Sequence, residues 1–458
     1  MALETSGNTV PKAWPAVATA PRDGDIDGPD AAMANAALAT QVTKKLYRRI
    51  VWYCFFLFVI NYLDRVNIGF AALQMNAEIG LSAKAYGMGA GIFFLGYILF
   101  EVPSNLILHK VGPRIWIARI MVTWGIVCCA MAALQGPNSF YLLRFLLGLA
   151  EAGFAPGILL YLTNWFPKKE RGKAVAGFML ATVLSSVFGA PLSGWIMSAA
   201  HGWMGWSGWR WMFLIEGIPA VIFGVVTFFY LADRPETARW LSAAERNWLT
   251  RTLARDVDAS AAHNTHSFGA ALGDTRVWVL TAIYAFNGMA IYGVVLWLPQ
   301  IVRSVGGLTT MQTGIVSAIP FIFGALGLIF IARSSDRTGE RRWHTALAGL
   351  SGGIFLALSA IAPTPLLGLV ALCFCAIGLW ATLGVFWTLP AQFLTGAAAA
   401  GGLAFINGVA QLGGFTGPYL VGWIRESTGS FTAPLLTLSL GPCIAFLLCM
   451  TLKGVRDR

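Results

Sequence analysis

Seven charged residues stand inside long apolar runs of this sequence: Asp64, Arg65, Glu101, Arg119, Arg144, Glu151 and Glu216. If those runs cross a bilayer, a charge facing lipid costs roughly 3 kcal/mol or more, so each should face a cavity or a partner. Arg119 stands near the start of its run and can reach the interface along its own apolar stem. Arg144 and Glu151 are seven residues apart, which on a helix leaves them about 20° from one face and about 10 Å apart. That is too far for a simple ion pair and close enough to line one cavity. Asp64 and Arg65 are neighbours and point about 100° apart, so one can face the cavity while the other pairs elsewhere. Such a set could handle an anion and a proton together. The planar fork of arginine matches a carboxylate, and Arg65 is the candidate for that contact. A carboxylate sharing the cavity repels an anion unless it takes up a proton. Asp64 and Glu151 are the candidates for that exchange, with Arg144 favouring the ionised form of one of them on approach. Glu101 and Glu216 read as packing residues, bonded to backbone or to a neighbouring helix.

The elements that must position these residues follow from composition. Of 458 residues, 57% are hydrophobic and 12% charged, about half the roughly 25% charged usual in soluble domains. Mean hydropathy is +0.67. A soluble globular enzyme and a disordered or fibrous chain are both excluded. A span of about 20 apolar helical residues crosses a bilayer core. Six such stretches, 47–73, 85–108, 115–135, 139–166, 173–199 and 211–232, precede a polar segment. Six more follow it: 277–302, 312–333, 344–362, 364–393, 399–424 and 432–452. Runs this long and continuous span as helices. The expected architecture is an all-α membrane protein of twelve transmembrane helices in two six-helix bundles. Residues 44–232 and 277–452 form the bundles and 233–276 the central loop. A proline-bearing tail, 1–43, is expected to be disordered, and residues 453–458 form a second tail.

Charge placement orients this array. With an internal N-terminus, twenty-three Lys and Arg fall on the inner side, against Lys84, Arg210, Arg303 and Arg425 outside. Both termini and the central loop are therefore expected in the cytoplasm. The net charge of +11 is accounted for by this asymmetry, and nucleic acid is not needed to explain it. The seven cysteines lie in apolar runs and the five histidines have no ligand spacing, so neither a metal nor a cofactor is expected. No Gly-x-Ser-x-Gly or His-Glu-x-x-His occurs, which disfavours a membrane-embedded enzyme.

The halves also read as a repeat. At an offset of 227, Lys110 matches Arg337, Pro191 matches Pro418 and Phe166 matches Phe393. Helix five then corresponds to helix eleven, and a binding site is expected between the halves. The same offset lands Asp64, Arg65, Arg144 and Glu151 on Ile291, Tyr292, Ala371 and Gly378. A network that merely tied helices together would recur in both halves, whereas a coupling site need exist only once. The polar wall opposite must come from the neutral half, where Tyr292, Trp387, Asn407 and Gln411 are candidates, with Tyr97 from the first half.

Several motifs carry a family resemblance over residues 45–453. They are Asn61-Tyr62-Leu63-Asp64-Arg65-Val66-Asn67-Ile68-Gly69 on helix one, Gly96-Tyr97-Ile98-Leu99-Phe100-Glu101 on helix two, Arg144 to Gly153 on helix four, and Asn407 to Phe415 on helix eleven. With Asp336-Arg337-Thr338-Gly339-Glu340-Arg341-Arg342 in the loop after helix eight, the chain resembles the major facilitator superfamily. Within it, the chain is similar to the anion/cation symporter group, bacterial permeases for tartrate, phthalate, hydroxyphenylacetate and hexonates. The resemblance implies proton-coupled import of a small organic anion by alternating access, by a monomer in the bacterial cytoplasmic (inner) membrane. It implies the same coupling residues, Asp64, Glu151 and Arg144, strengthens Tyr97, Trp387 and Asn407 as substrate contacts, and gives Asp336, Arg337, Gly339 and Arg341 a gating role. In the first half His109 holds the position of that motif's aspartate. A drug/proton antiporter of the same fold is the alternative. Helix five reads Gly189-Ala190-Pro191, without the Gly-Pro step of such proteins, and a cavity arginine disfavours cationic drugs.

Overall fold

The computed structural model describes residues 29–261, 272–304, 306–394 and 396–452, and they are helical with no strand among them. In chain order the α-helices are α1 (Pro29–Leu46), α2 (Trp52–Glu78), α3 (Ala83–Val111), α4 (Pro113–Ala130), α5 (Pro137–Glu151), α6 (Phe154–Trp165), α7 (Lys168–Ala199) and α8 (Gly208–Tyr230). After α9 (Ala243–Ala261) come α10 (Thr275–Ser304), α11 (Thr310–Thr338), α12 (Arg342–Ala360), α13 (Pro365–Phe386), α14 (Gly396–Ala410), α15 (Leu412–Thr428) and α16 (Thr432–Thr451). Among the described residues, eleven spans are long and apolar enough to cross a membrane by length and composition. The twelfth, expected over 399–424, is divided at Gln411 into α14 and α15. The run 139–166 is likewise divided into α5 and α6, where Gly153 takes φ +87° directly after Glu151 and Ala152. The run 364–393 leaves the α-helix at Phe386. Pro390 has no N–H to return to Phe386, and the chain tightens into i→i+3 turns before it.

The expected disorder over 1–43 is corrected for its second part. Residues 29–43 belong to α1, while residues 1–28 lie outside the described residues, as does the expected tail 453–458. The prolines suggested disorder, yet Pro29 stands at the first helical position, where its missing N–H costs nothing. The alanine-rich run behind it is a strong helix former, and Lys44 and Lys45 complement the helix C-terminus.

The polar segment 233–276 is also partly ordered. Ser242 and Glu245 form a reciprocal cap for α9, with Ser242 N–H donating to Glu245 Oε2 at 2.8 Å and Glu245 N–H donating to Ser242 Oγ at 3.3 Å. The same carboxylate receives Gln41 Nε2 at 3.0 Å and Lys45 Nζ at 2.6 Å, which docks α9 on α1. Burial works to raise the Glu245 carboxyl, but Lys45 and Ser242 together hold it below the ordinary carboxylate range. Because the folded value is the lower one, this contact is complete above the unfolded value of about 4.3 and is lost as pH falls through the folded one. Glu245→Ala should therefore speed limited proteolysis of the central segment at pH 7. Wild-type protection should persist at about pH 5. Equal cleavage rates for the two proteins would show that the docking contributes nothing.

The first-half helices meet the second half through α3–α15, α7–α11 and α2–α10. These joints lie at the end away from α1 and α9. Tyr86 OH donates to Leu296 O at 2.7 Å and Lys84 N–H to Glu426 Oε2 at 2.7 Å. The repeat reappears here as geometry. Gly87 faces Gly422, and Gly194 faces Gly314, backbone against backbone, such that a Cβ on Gly87 would stand 3.1 Å from Gly422 Cα and one on Gly194 3.2 Å from Gly314 Cα. Gly87 and Gly314 differ by the same 227 residues, and Gly194 and Gly422 by 228, because Gly422 stands four residues after Pro418 and Gly194 three after Pro191.

Candidate functional site

The mid-span charges converge around Phe93 on α3. Arg65 is 9% exposed and Glu151 is fully buried, and the guanidinium Nη2 of Arg65 donates to Glu151 Oε1. The arginine carbon Cζ lies 5.4 Å from the Phe93 ring centre and 5.5 Å from that of Tyr97. Arg144 reaches the same Phe93 ring at 4.9 Å. Two guanidinium groups thus share one aromatic ring, an arrangement that stabilises cations held out of water.

Arg144, seven residues before Glu151, does not pair with it. Arg144 donates instead to backbone, Nε to Gly89 O at 3.3 Å and Nη2 to Ala90 O at 3.2 Å. The cause is close packing of α3 on α5. Gly148 lies against the Phe93 backbone and Gly96 against that of Phe145, which brings the α3 carbonyls within reach of Arg144. The break after Glu151 ends α5 beside α2, where Arg65 waits. Among the described residues, Arg65 Nε, Arg144 Nη1 and Glu151 Oε2 are buried and make no hydrogen bond to protein. A ligand carboxylate could accept from the two guanidinium N–H groups, Arg65 Nε and Arg144 Nη1.

Asp64 takes the other direction that its adjacency to Arg65 permits. It points between α4 and α8, accepting from Trp124 Nε1 at 2.5 Å, Cys128 Sγ at 3.3 Å and Asn67 Nδ2 at 3.4 Å. No basic side chain is among these partners. Glu216 accepts from Ser193 Oγ at 2.8 Å, as a packing residue should. Arg119 rests its guanidinium 4.6 Å from the Trp116 ring.

From the second half, Tyr292 packs on Phe94 with ring centres 4.5 Å apart and ring planes tilted by 57°, facing the Arg65 region across the seam. Trp387 packs on Tyr284 at 5.0 Å, in an aromatic group of the second half, whereas Arg65 lies over Tyr62, Phe93 and Tyr97. Gln411 marks the break between α14 and α15, its carbonyl receiving Gly414 N–H at 2.9 Å. Asn407 Nδ2 donates to Glu101 Oε1 at 2.9 Å, joining the halves on the α1/α9 side of the arginine. Sequence reasoning overlooked Phe93, Trp124 and the cross-half role of Glu101. The one available signal was spacing, since Phe93, Tyr97 and Glu101 repeat at four residues and share one face of α3.

In the loop after α11, Arg341 Nη1 pairs with Asp336 Oδ1 at 2.6 Å and Gly339 caps the helix at φ +72°, while Arg337 lies exposed. The pairing stays inside its own loop. In the first-half loop, Asp233 receives Arg114 N–H at 2.9 Å, filling a space against Gly112.

The family model described as Major Facilitator Superfamily matches residues 54–452. A protein of Agrobacterium vitis provisionally named a tartrate transporter is 50% identical over 88% of this chain and 92% of its own length. A quinolone resistance transporter of Acinetobacter baumannii is 44% identical, covering 87% and 91% respectively. Among solved structures, a bacterial homologue of the human lysosomal transporter Spinster shares the fold, with a TM-score of 0.73 at 17% identity over 88% of this chain and 96% of that one. The chain therefore belongs to the major facilitator superfamily and is a multi-pass membrane transporter with that superfamily's all-helical fold, not an enzyme.

Proposed function

We propose that this transporter imports a small organic anion with protons by alternating access, its two bundles rocking about the seam. In this reading the membrane is the bacterial cytoplasmic one, and both termini and the central loop are inside. The observation that carries the reading is the buried Arg65–Glu151 pair. An incoming carboxylate competes with Glu151 for the same guanidinium. Arg65 and Arg144 stand against Glu151 and, one turn away, Glu101. Adding an anion leaves this set with surplus negative charge, and a proton on Glu151 removes it. Buried charge that is unpaired is too costly to persist, so anion and proton load together. Asp64, apart from the pair, is the second candidate acid. The tartrate-transporter name of a half-identical relative supports a hydroxylated or plain carboxylate as cargo.

The test is uptake into proteoliposomes with an imposed pH gradient, across dicarboxylates, sugar acids and aromatic acids. At least one acid should accumulate, and collapse of the gradient should stop it. Glu151→Gln should lower pH-driven uptake by tenfold or more while exchange of labelled for unlabelled anion survives. Loss of exchange to the same degree would rule out a pure coupling role. A second reading, drug efflux against protons, is favoured by the quinolone-resistance relative. Expulsion of a quinolone with no movement of any acid would replace the first reading.

A further inference from the structure

We propose that the second half carries a phospholipid site at its seam end, with an acyl chain in a cavity between α10, α11, α13 and α16 and the lipid phosphate on Arg303. The site is separate from the charged cluster around Phe93 and does not depend on which cargo the transporter moves. Its cavity has a volume of about 360 Å³, within the range of roughly 300–1,000 Å³ usual for small-molecule sites. Ile301 and Val302 near the end of α10, Val316 on α11, Leu372 on α13 and Leu435 on α16 line it, and Leu308 borders it from the loop between α10 and α11. Ser359, at the end of α12, is the one polar side chain among the lining residues. Its Oγ already donates to Leu356 O at 2.7 Å. Water therefore finds few partners in the cavity. A hydrocarbon chain instead supplies the dispersion contacts that close packing requires.

Two observations identify the occupant as a lipid with an anionic head. The first is the apolar surface beside the cavity. Leu366, itself a lining residue, is 69% exposed, and its neighbours Leu367 and Ile361 are 51% and 61% exposed. In a chain that spans a membrane, such a patch at the helix ends faces acyl chains, and it is continuous with the cavity wall. The second is charge. Arg303 directly follows Ile301 and Val302, and its Nη1 donates to Thr310 Oγ1 at 3.1 Å across the loop that holds Leu308. Its side chain is exposed. Between residues 277 and 452 the acidic residues are Asp336, Glu340 and Glu426. The first two lie at the opposite end of α11, and Glu426 accepts from Lys84 N–H. The second half thus has no acid left to neutralise Arg303. A phosphodiester matches the guanidinium fork and takes that place. The arginine stands one residue beyond the cavity wall, so a single lipid engages both.

The experiment uses the full-length protein, delipidated in a neutral detergent. It is titrated with phosphatidylglycerol and, separately, with a diacylglycerol of the same chains, which lacks the phosphate. Bound lipid is counted by native mass spectrometry, with thermal unfolding followed in parallel. Wild type should hold one phosphatidylglycerol about tenfold more tightly than the diacylglycerol, the worth of a charge-assisted hydrogen bond to arginine. Arg303→Gln should bring the two lipids level. Val316→Trp places an indole in the cavity and should release both lipids, together with the thermal stabilisation that they give. Ser359→Phe fills the same cavity from α12 and serves if Val316→Trp does not fold. Leu447→Trp is the control, since Leu447 is exposed and lies about 18 Å farther along α16 than Leu435. It should bind lipid as wild type does. Equal affinity of wild type for the two lipids, or full retention of phosphatidylglycerol in both cavity-filling variants, overturns the proposal.

Discussion

Arg65→Ala should abolish anion transport and destabilise the fold at the same time, and Glu151→Gln on top of it should restore the fold without restoring transport. Arg65 and Glu151 have side chains only 10% and 1% exposed. Removing one partner of a buried pair strands the other charge, at a cost of roughly 3–5 kcal/mol. Replacing the stranded carboxylate by a neutral amide removes most of that penalty. Transport stays lost because the fixed cation for the substrate is gone. Arg65→Lys separates charge from geometry. It keeps the positive charge but loses the fork and the planar contact with Phe93 and Tyr97, so transport should survive with KM raised by tenfold or more. Thermal unfolding of the detergent-purified variants gives the stability cycle, and exchange in proteoliposomes gives the activity. A double variant as unstable as Arg65→Ala would mean that the pair is not what buries Glu151. Exchange within about twofold of wild type in Arg65→Ala would remove Arg65 from the substrate site.

This pair shows what a one-dimensional reading can and cannot reach. Rarity of charge in apolar helices identified Asp64, Arg65, Arg144 and Glu151, because the energetic penalty is a property of each residue alone. The 100° step between neighbours correctly required Asp64 and Arg65 to diverge. Which acid meets which arginine depends on where helices cross, and the glycine contacts between α3 and α5 decide that. The pairing of Glu151 with Arg65, with Arg144 turned to the α3 backbone, follows from them. The breaks at Gly153 and Gln411 escaped notice because glycine is common here, with 51 in the chain, and only a positive φ distinguishes the one at 153. The contact between Glu101 and Asn407 joins residues 306 apart in sequence, and no local pattern encodes it. Helix α1 was obscured for a different reason, since prolines clustered ahead of it dominated the composition of its neighbourhood.

Introducing side chains at the glycine seam should trap the transporter with its seam end open. A Cβ on Gly87 would lie 2.5 Å from Pro418 O, and one on Gly314 2.6 Å from Ala190 O. Both obstacles are backbone atoms, which cannot rotate away. Overpacking of this kind costs about 1–3 kcal/mol per site. Because the two contacts are related by the repeat and both close in the same movement, their costs should add, to about 2–6 kcal/mol in Gly87→Val/Gly314→Val. Moving a two-state equilibrium from 1:99 to 99:1 takes about 5.5 kcal/mol. Either single variant should therefore only slow exchange, whereas the double variant should lose it. Gly172→Val provides the control, since nothing lies within 4 Å of a Cβ there. Opening is read directly by placing a cysteine at Tyr292, behind the seam, in a background without the native cysteines. An impermeant maleimide added from the seam side should label it at least tenfold faster in the double variant than in the Gly172→Val control. Equal labelling would mean that the seam yields elsewhere when the glycines are filled, and that the paired glycines serve packing within this state without controlling access to the site. Faster labelling with intact exchange would mean instead that the closed seam is not an obligatory step of the cycle.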